Sequence, residues 1–76
     1  MLVKSERLVA VAVPAPLYTA FDYRVGEEVS IAPGARVRVP FGRREAIGVA
    51  LDAPRAADLS ARSYKAVAEL LDDAPL

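Results

Sequence analysis

The sequence predicts an all-β fold, a small open or closed barrel of about five to six short strands with a polar mouth. Three observations predict it. The stretch Pro33-Gly34-Ala35-Arg36-Val37-Arg38-Val39-Pro40-Phe41-Gly42 holds a turn, an alternating strand and a glycine elbow in ten residues. The stretch Leu8-Val9-Ala10-Val11-Ala12-Val13 carries Val at every second position with small Ala between, the pattern of a strand apolar on both faces. A further apolar run over residues 46–51 stands ready to pair with the Arg36–Arg38 stretch.

Taken in order, residues 1–7 are polar and unpatterned and are expected to be a disordered N-terminal segment. The strand over residues 8–13 belongs at the centre of the sheet, and Pro14-Ala15-Pro16 ends it. A second strand opens at Thr19 or Ala20 and runs to Val25, with Phe21, Tyr23 and Val25 on one face and Asp22 and Arg24 on the other. Gly26 begins a loop, Val29-Ser30-Ile31 is a short extended piece, and Pro33-Gly34 turns into the central strand. There Val37 and Val39 face one way and Arg36 and Arg38 the other. Pro40, which lacks a ladder donor, is expected to end that strand, with residues 41–44 forming a loop or bulge.

A fourth strand follows over residues 45–53. Ile47, Val49 and Leu51 share one face, while Ala46, Gly48 and Ala50 leave the other nearly bare. Gly48 marks a bend or a close backbone approach. Residues 54–62 read as a loop with one helical turn. Residues 63–71 carry two patterns at once. Tyr64, Val67, Ala68 and Leu71 fall at helical spacing with Ser63 as cap, whereas Tyr64, Ala66, Ala68 and Leu70 form the apolar face of a strand. Residues 72–76 read as an exit linker.

Composition narrows the function. Seventy-six residues make one small domain. With no cysteine and no histidine, disulfides, a zinc site of the usual ligands and a His-assisted nucleophile are excluded. No apolar run approaches the ~20 residues that span a bilayer, and a cytoplasmic, membrane-free protein is expected. Ten basic residues balance ten acidic ones, so any nucleic-acid role rests on a local pocket beside Arg36, Arg38, Arg43 and Arg44 rather than on bulk charge. By composition alone those arginines read as a solvated strand face, Asp22 as a strand carboxylate paired with Arg24 or Arg38, and Phe21 and Tyr23 as core aromatics. No phosphate-binding glycine loop is present, and the chain by itself is not expected to be an enzyme.

Read together, V-A-V-P-A-P-L-Y-T-A-F-D-Y, P-G-A-R-V-R-V-P-F-G, I-G-V-A and Y-K-A-V-A-E-L-L-D resemble, over residues 8–73, the N-terminal DNA-binding domain of the PriA family of primosomal replication-restart helicases. The resemblance implies an OB-like barrel over residues 8–73, with residues 74–76 starting a linker to an absent winged-helix domain. It makes residues 63–71 a strand. It implies recognition of the 3′-OH end of the nascent leading strand at a stalled fork. The matching pocket positions are Phe21, Asp22, Tyr23, Gly42 and Lys65, with Asp22 reading the free 3′-hydroxyl and Arg36, Arg38, Arg43 and Arg44 as weaker phosphate contacts. The basic or polar residue the family often carries before F-D-Y is Ala20 here.

By the same resemblance the parent is an ATP-dependent 3′–5′ helicase using ATP, Mg2+ and Zn2+, nucleoid-associated at forks. This fragment itself needs no cofactor. Expected partners are DNA with a free 3′ end, forked DNA, the parent's remaining domains, other primosome proteins and single-stranded DNA-binding protein. Because alternation prevents Phe21 and Tyr23 from pointing the same way as Asp22, their backbone groups are expected to touch the nucleotide while their rings pack inward. Neutral net charge predicts weak binding, on the order of micromolar or worse, with a shallow salt slope. Two other functions fit the residues: a protein-interaction barrel using the small-residue face of Ala46, Gly48 and Ala50, and a general single-strand or RNA-binding barrel.

Overall fold

The computed structural model describes residues 6–14, 16–26, 28–57 and 63–72. Six strands form one sheet: β1 (Glu6–Pro14), β2 (Tyr18–Val25), β3 (Arg36–Phe41), β4 (Arg44–Ala50), β5 (Arg55–Ala57) and β6 (Glu69–Leu70). The order is β2-β1-β4-β3-β6, with β5 also on β1, and every strand pair is antiparallel. The two ends of the sheet meet. Arg24 of β2 donates its N–H to the Lys65 carbonyl at 2.8 Å and accepts from Val67 N–H at 3.0 Å, and four residues later the same segment pairs with β3. The fold is thus a small OB-like barrel, as the sequence predicts.

β1 is the spine. It pairs with β2 from Arg7 to Pro14, and its other edge is shared by β4 and β5 in turn. Its valines explain the placement: Val9, Val11 and Val13 are fully buried. They meet Tyr23, Val25, Ile31, Ala35, Val37, Val39 and Ala50 in one core. β-Branched side chains suit a pleated, buried strand.

Several boundaries differ from expectation. β1 begins at Glu6, so Glu6 and Arg7 belong to the sheet and not to a disordered segment; residues 1–5 lie outside the described residues. The Arg7 guanidinium donates to the carbonyls of Gly26 and Val29, which ties the following loop to β1. β2 begins at Tyr18, ahead of Thr19. Residues 29–31 form no strand, yet Ile31 is buried in the core. At Pro33-Gly34 the chain makes a type II turn: Ala35 N–H bonds the Ala32 carbonyl at 3.0 Å, and Gly34 holds the positive φ (+90°) that the third turn position requires.

Pro40 does not end β3. The strand runs on to Phe41, with Pro40 opposite Glu45 and Phe41 opposite Arg44. The hydrogen bonds from Ala68 N to Arg38 O and from Leu71 N to Arg36 O show that even-numbered residues of β3 turn their backbone groups toward β6. Pro40 therefore faces the β6 side, beyond the two residues β6 reaches. A missing donor there costs no ladder bond. The expected four-residue loop is a two-residue turn, Gly42-Arg43. Gly42 has φ +61° and Arg43 an ordinary negative φ, the sign pattern of a II′ hairpin turn.

β4 ends at Ala50 rather than residue 53, and the exposure of its faces reverses the expected docking surface. Gly48 and Ala50 are buried and Ala46 packs against the core, so this small-residue face is not an exposed patch. Small residues stand there because β1 approaches closely: a Cβ on Gly48 would lie 2.5 Å from Val11 Cγ1 and 2.7 Å from the Ala12 carbonyl oxygen. The larger side chains of Ile47 and Leu51 are exposed instead.

Residues 55–57, expected in a loop, form β5; the helical turn expected nearby falls on residues 58–62, outside the described residues. Residues 63–72 are not an α-helix. Ala66 bridges Arg24 in parallel and Glu69–Leu70 pair with Val37 and Arg38. Closing the barrel satisfies open edges of β2 and β3, which a lone helix cannot do, and this tertiary pairing overrides the local helical spacing. The expected even-numbered apolar face does not hold throughout, since Val67 and Leu70 are the two that pack on the core. Asp72, expected in a linker, is fastened to Arg36; residues 73–76 lie outside the described residues.

Candidate nucleic-acid interface

Three candidate residues lie consecutively on β2, and the pleat sends them to opposite sides. Tyr23 points into the barrel, buried, with its hydroxyl donating to the Pro40 carbonyl at 3.0 Å. Burial pushes its phenol above the ordinary value. Phe21, one turn of the pleat nearer the mouth, is half-exposed and meets the Phe41 ring edge-on, with centroids 5.4 Å apart and planes at 65°. These two contacts carry β2 to the end of β3, whose last residue, Phe41, leads into Gly42 of the hairpin turn. No atom outside its chain neighbours lies within 4 Å of a Cβ built on Gly42. The turn itself accounts for this glycine.

Asp22 is on the outer face. Its Oδ1 forms an ion pair with Arg55 Nη2 at 2.9 Å, which replaces the expected partners Arg24 and Arg38. Arg24 instead turns its Nε toward the Tyr64 carbonyl at 3.4 Å. Arg38 is bound by Glu69 and lies 3.8 Å from Glu45. Arg55 was missed because its segment, Pro-Arg-Ala-Ala, carries no strand pattern; the only signal was a basic residue following a proline after the fourth strand.

The backbone of β2 decides what its edge offers. Arg24 directs its N–H and C=O away from β1, to Lys65 and Val67. In a regular antiparallel ladder that orientation recurs every second residue, so Asp22, opposite Ala10, also presents its N–H and C=O at the free edge. Phe21 and Tyr23 spend theirs on Val11 and Val9. It is therefore the Asp22 backbone, not that of its neighbours as expected, that is available to a ligand. Among the described residues no group bonds it. Lys65 has its carbonyl on Arg24, two residues along the strand, and its side chain is exposed.

The arginines divide. Arg36 and Arg38 are engaged, the first with Asp72 at 2.9 Å and the second with Glu69 and Glu45. Arg43 and Arg44 are exposed at the hairpin tip and form no ion pair with a described residue. The described residues also gather no set of three or more His, Cys, Asp or Glu side chains.

A free strand edge with a carboxylate, an aromatic pair and a basic hairpin tip, on a small barrel, suits a nucleic-acid-binding domain. Comparison with known proteins narrows the class. The model of the PriA 3′ DNA-binding domain (3′BD) matches residues 10–76, and this chain belongs to that family. The replication restart protein PriA of Haemophilus influenzae is 40% identical over 70 residues, covering 92% of this chain and 10% of that protein. The replication restart protein PriA of Bacillus subtilis is 41% identical over 58 residues, covering 74% of this chain and 7% of that protein. The chain spans about a tenth or less of the length of these relatives.

Proposed function

We propose that this 3′ DNA-binding domain holds the terminal nucleotide of a DNA strand and reads its free 3′-hydroxyl with Asp22. In the cell that strand is the nascent leading strand at a stalled fork, and the domain serves a longer ATP-dependent 3′–5′ replication-restart helicase in the cytoplasm. The observation that carries the reading is the pairing of a partly exposed carboxylate with free backbone groups on the same residue, Asp22, at an open strand edge.

The chemistry follows from charge. A carboxylate accepts a charge-assisted hydrogen bond from a hydroxyl, whereas a 3′-phosphate brings like charge to the same place. An internal nucleotide has no free 3′-hydroxyl and continues into a further phosphate. Lys65 and the hairpin-tip residues Arg43 and Arg44 supply positive charge for the last phosphates. Arg36 already gives both Nε and Nη2 to Asp72, and Arg38 faces two carboxylates, Glu69 and Glu45, which makes them the lesser contacts. Phe21 offers an exposed ring for base or sugar contact, a mode that every base accepts. Tyr23 and Gly42 shape the site through the Pro40 contact and the hairpin turn. Contacts of this kind are indifferent to base identity, as a fork-end reader requires.

The test is fluorescence anisotropy with two 5′-labelled single-stranded oligonucleotides that differ only in a 3′-hydroxyl or a 3′-phosphate. Tighter binding of the hydroxyl form is expected. Equal binding of both, or of circular single strands, would replace end recognition by general strand binding.

A second role is favoured by one observation. Tyr18, Ile47 and Leu51 are 67%, 52% and 46% exposed, and the strand register sets all three on the outer face. With about a tenth of its relatives' length present here, this face suits docking against the parent's remaining domains. Ile47→Asp should leave end binding intact and weaken association with those domains supplied separately; unchanged association would remove this role.

A further inference from the structure

We propose that Arg55 is a working part of the end-binding site: it orients the Asp22 carboxylate and contacts the last phosphate of the bound strand. This rests on the reading of Asp22 as the hydroxyl acceptor.

The geometry points there in three ways. Asp22 and Arg55 are not on neighbouring strands. β2 and β5 flank β1 on opposite edges, with Asp22 opposite Ala10 and Arg55 opposite Leu8, so the ion pair reaches diagonally across the outer face of β1. Strands lie about 4.8 Å apart, so the pair bridges roughly two such spacings, and the short side chain of Ala10 leaves room for an arginine to cross.

Next, the pair is half in water: the Asp22 side chain is 34% exposed and that of Arg55 50%. Exposed ion pairs contribute little to stability, so holding up the fold does not account for a long side chain drawn over an intervening strand.

Last, the contact leaves both groups with capacity to spare. Only Oδ1 of Asp22 faces a described cation, and the ion pair occupies only the Nη2 end of a guanidinium that has five N–H donors. A carboxylate oxygen and several guanidinium donors then sit side by side on one exposed face. That is the complement of a strand's last nucleotide, which carries a hydroxyl donor and a phosphate on the same sugar. The planar guanidinium suits both partners, because it can grip a carboxylate with one edge and a phosphate with the other. Arg24 is not an equivalent, since its Nε is turned to the Tyr64 carbonyl.

The experiment compares the wild-type chain with Arg55→Ala and Arg55→Lys, each checked for its β-sheet circular dichroism. Binding of 3′-hydroxyl and 3′-phosphate oligonucleotides is measured across a salt series. Arg55→Ala is expected to weaken binding of the hydroxyl form about tenfold or more, the scale of one charge-assisted hydrogen bond. It should also narrow the hydroxyl-to-phosphate ratio and lower the salt slope by about 0.7, one single-strand phosphate contact. Arg55→Lys should recover the salt slope, which needs only charge, but not the ratio, which needs the fork. A purely structural arginine would lower the melting temperature and leave slope and ratio unchanged; that result overturns the proposal. Tighter binding by Arg55→Ala also overturns it, because Arg55 would then compete with DNA for Asp22. Absence of hydroxyl preference in the wild-type chain is a separate failure, that of the Asp22 reading itself, and removes the basis for this one.

Discussion

Phe21 and Phe41 face each other edge-on across the barrel mouth, one from the free-edge strand β2 and one from the end of β3, with ring centroids 5.4 Å apart. Their contact joins the strand that carries Asp22 to the hairpin that carries Arg43 and Arg44. Such aromatic pairs contribute about 0.5–1.5 kcal/mol beyond the area they bury. Phe41→Leu keeps an apolar side chain but loses the ring pair. It should lower the unfolding free energy measured by urea denaturation by that order and weaken DNA binding through a less fixed hairpin. An unchanged affinity would separate the hairpin tip from the site.

Asp22→Asn keeps the size and one acceptor oxygen while removing the charge. The hydroxyl preference should shrink by about tenfold, the range of a charge-assisted bond against a neutral one, while the 3′-phosphate oligonucleotide binds as well or better. Competition between the two ends, measured by anisotropy, reads the change directly. Asn still discriminating as strongly as Asp would show that the backbone groups of residue 22, not its carboxylate, read the end.

The sequence carried these elements unequally, and the reason is physical. β1 to β4 were legible because alternation of Val, Phe, Tyr and Arg encodes a half-buried strand locally. β5 was not, because Arg-Ala-Ala has no pattern of its own, and β6 was legible only as one of two competing patterns over residues 63–71; each becomes a strand where β1 or β3 offers an open edge. The same gap hid Arg55, whose partnership with Asp22 exists only once β5 is laid beside β1. Pro40 misled for a related reason: whether a missing donor matters depends on which side of the strand has a neighbour. The exposure of the β4 faces was misjudged because side-chain size was taken for burial. In fact the close approach of β1 requires the small residues to be inside.

That close approach makes Gly48 the most sensitive position outside the site. Gly48→Ala would set a Cβ 2.7 Å from the Ala12 carbonyl oxygen, a backbone atom that cannot swing aside, as well as 2.5 Å from Val11 Cγ1. Overpacking of this kind costs about 1–3 kcal/mol, and in a domain of this size each kcal/mol moves the melting temperature by about 4–8 °C. Thermal unfolding by circular dichroism should show a fall of roughly 5–20 °C. A change within 2 °C or so would mean that β1 and β4 separate more easily than their packing indicates.

Acid sensitivity should trace to the last fastening of the barrel. Asp72 accepts from the Arg36 side chain at 2.9 and 3.2 Å and from its backbone N–H at 2.9 Å, while the Arg36 carbonyl accepts from Leu71. The side-chain hydrogen bond from Arg36, then the backbone one, hold the Asp72 carboxyl below its ordinary value, and the same contact raises Arg36, which stays charged throughout. A carboxyl depressed in the folded state contributes stability above its unfolded value of about 3.9 and loses it as pH falls through the folded value. The domain should therefore hold this contribution at neutral pH and shed it below about pH 4. The ion pair is open to solvent, so the loss should be small and reduced further by salt. Asp72→Asn should flatten that part of the stability–pH curve below about pH 4 while leaving DNA end preference at neutral pH unchanged. A variant as acid-sensitive as the wild type would move the titrating group elsewhere in the barrel.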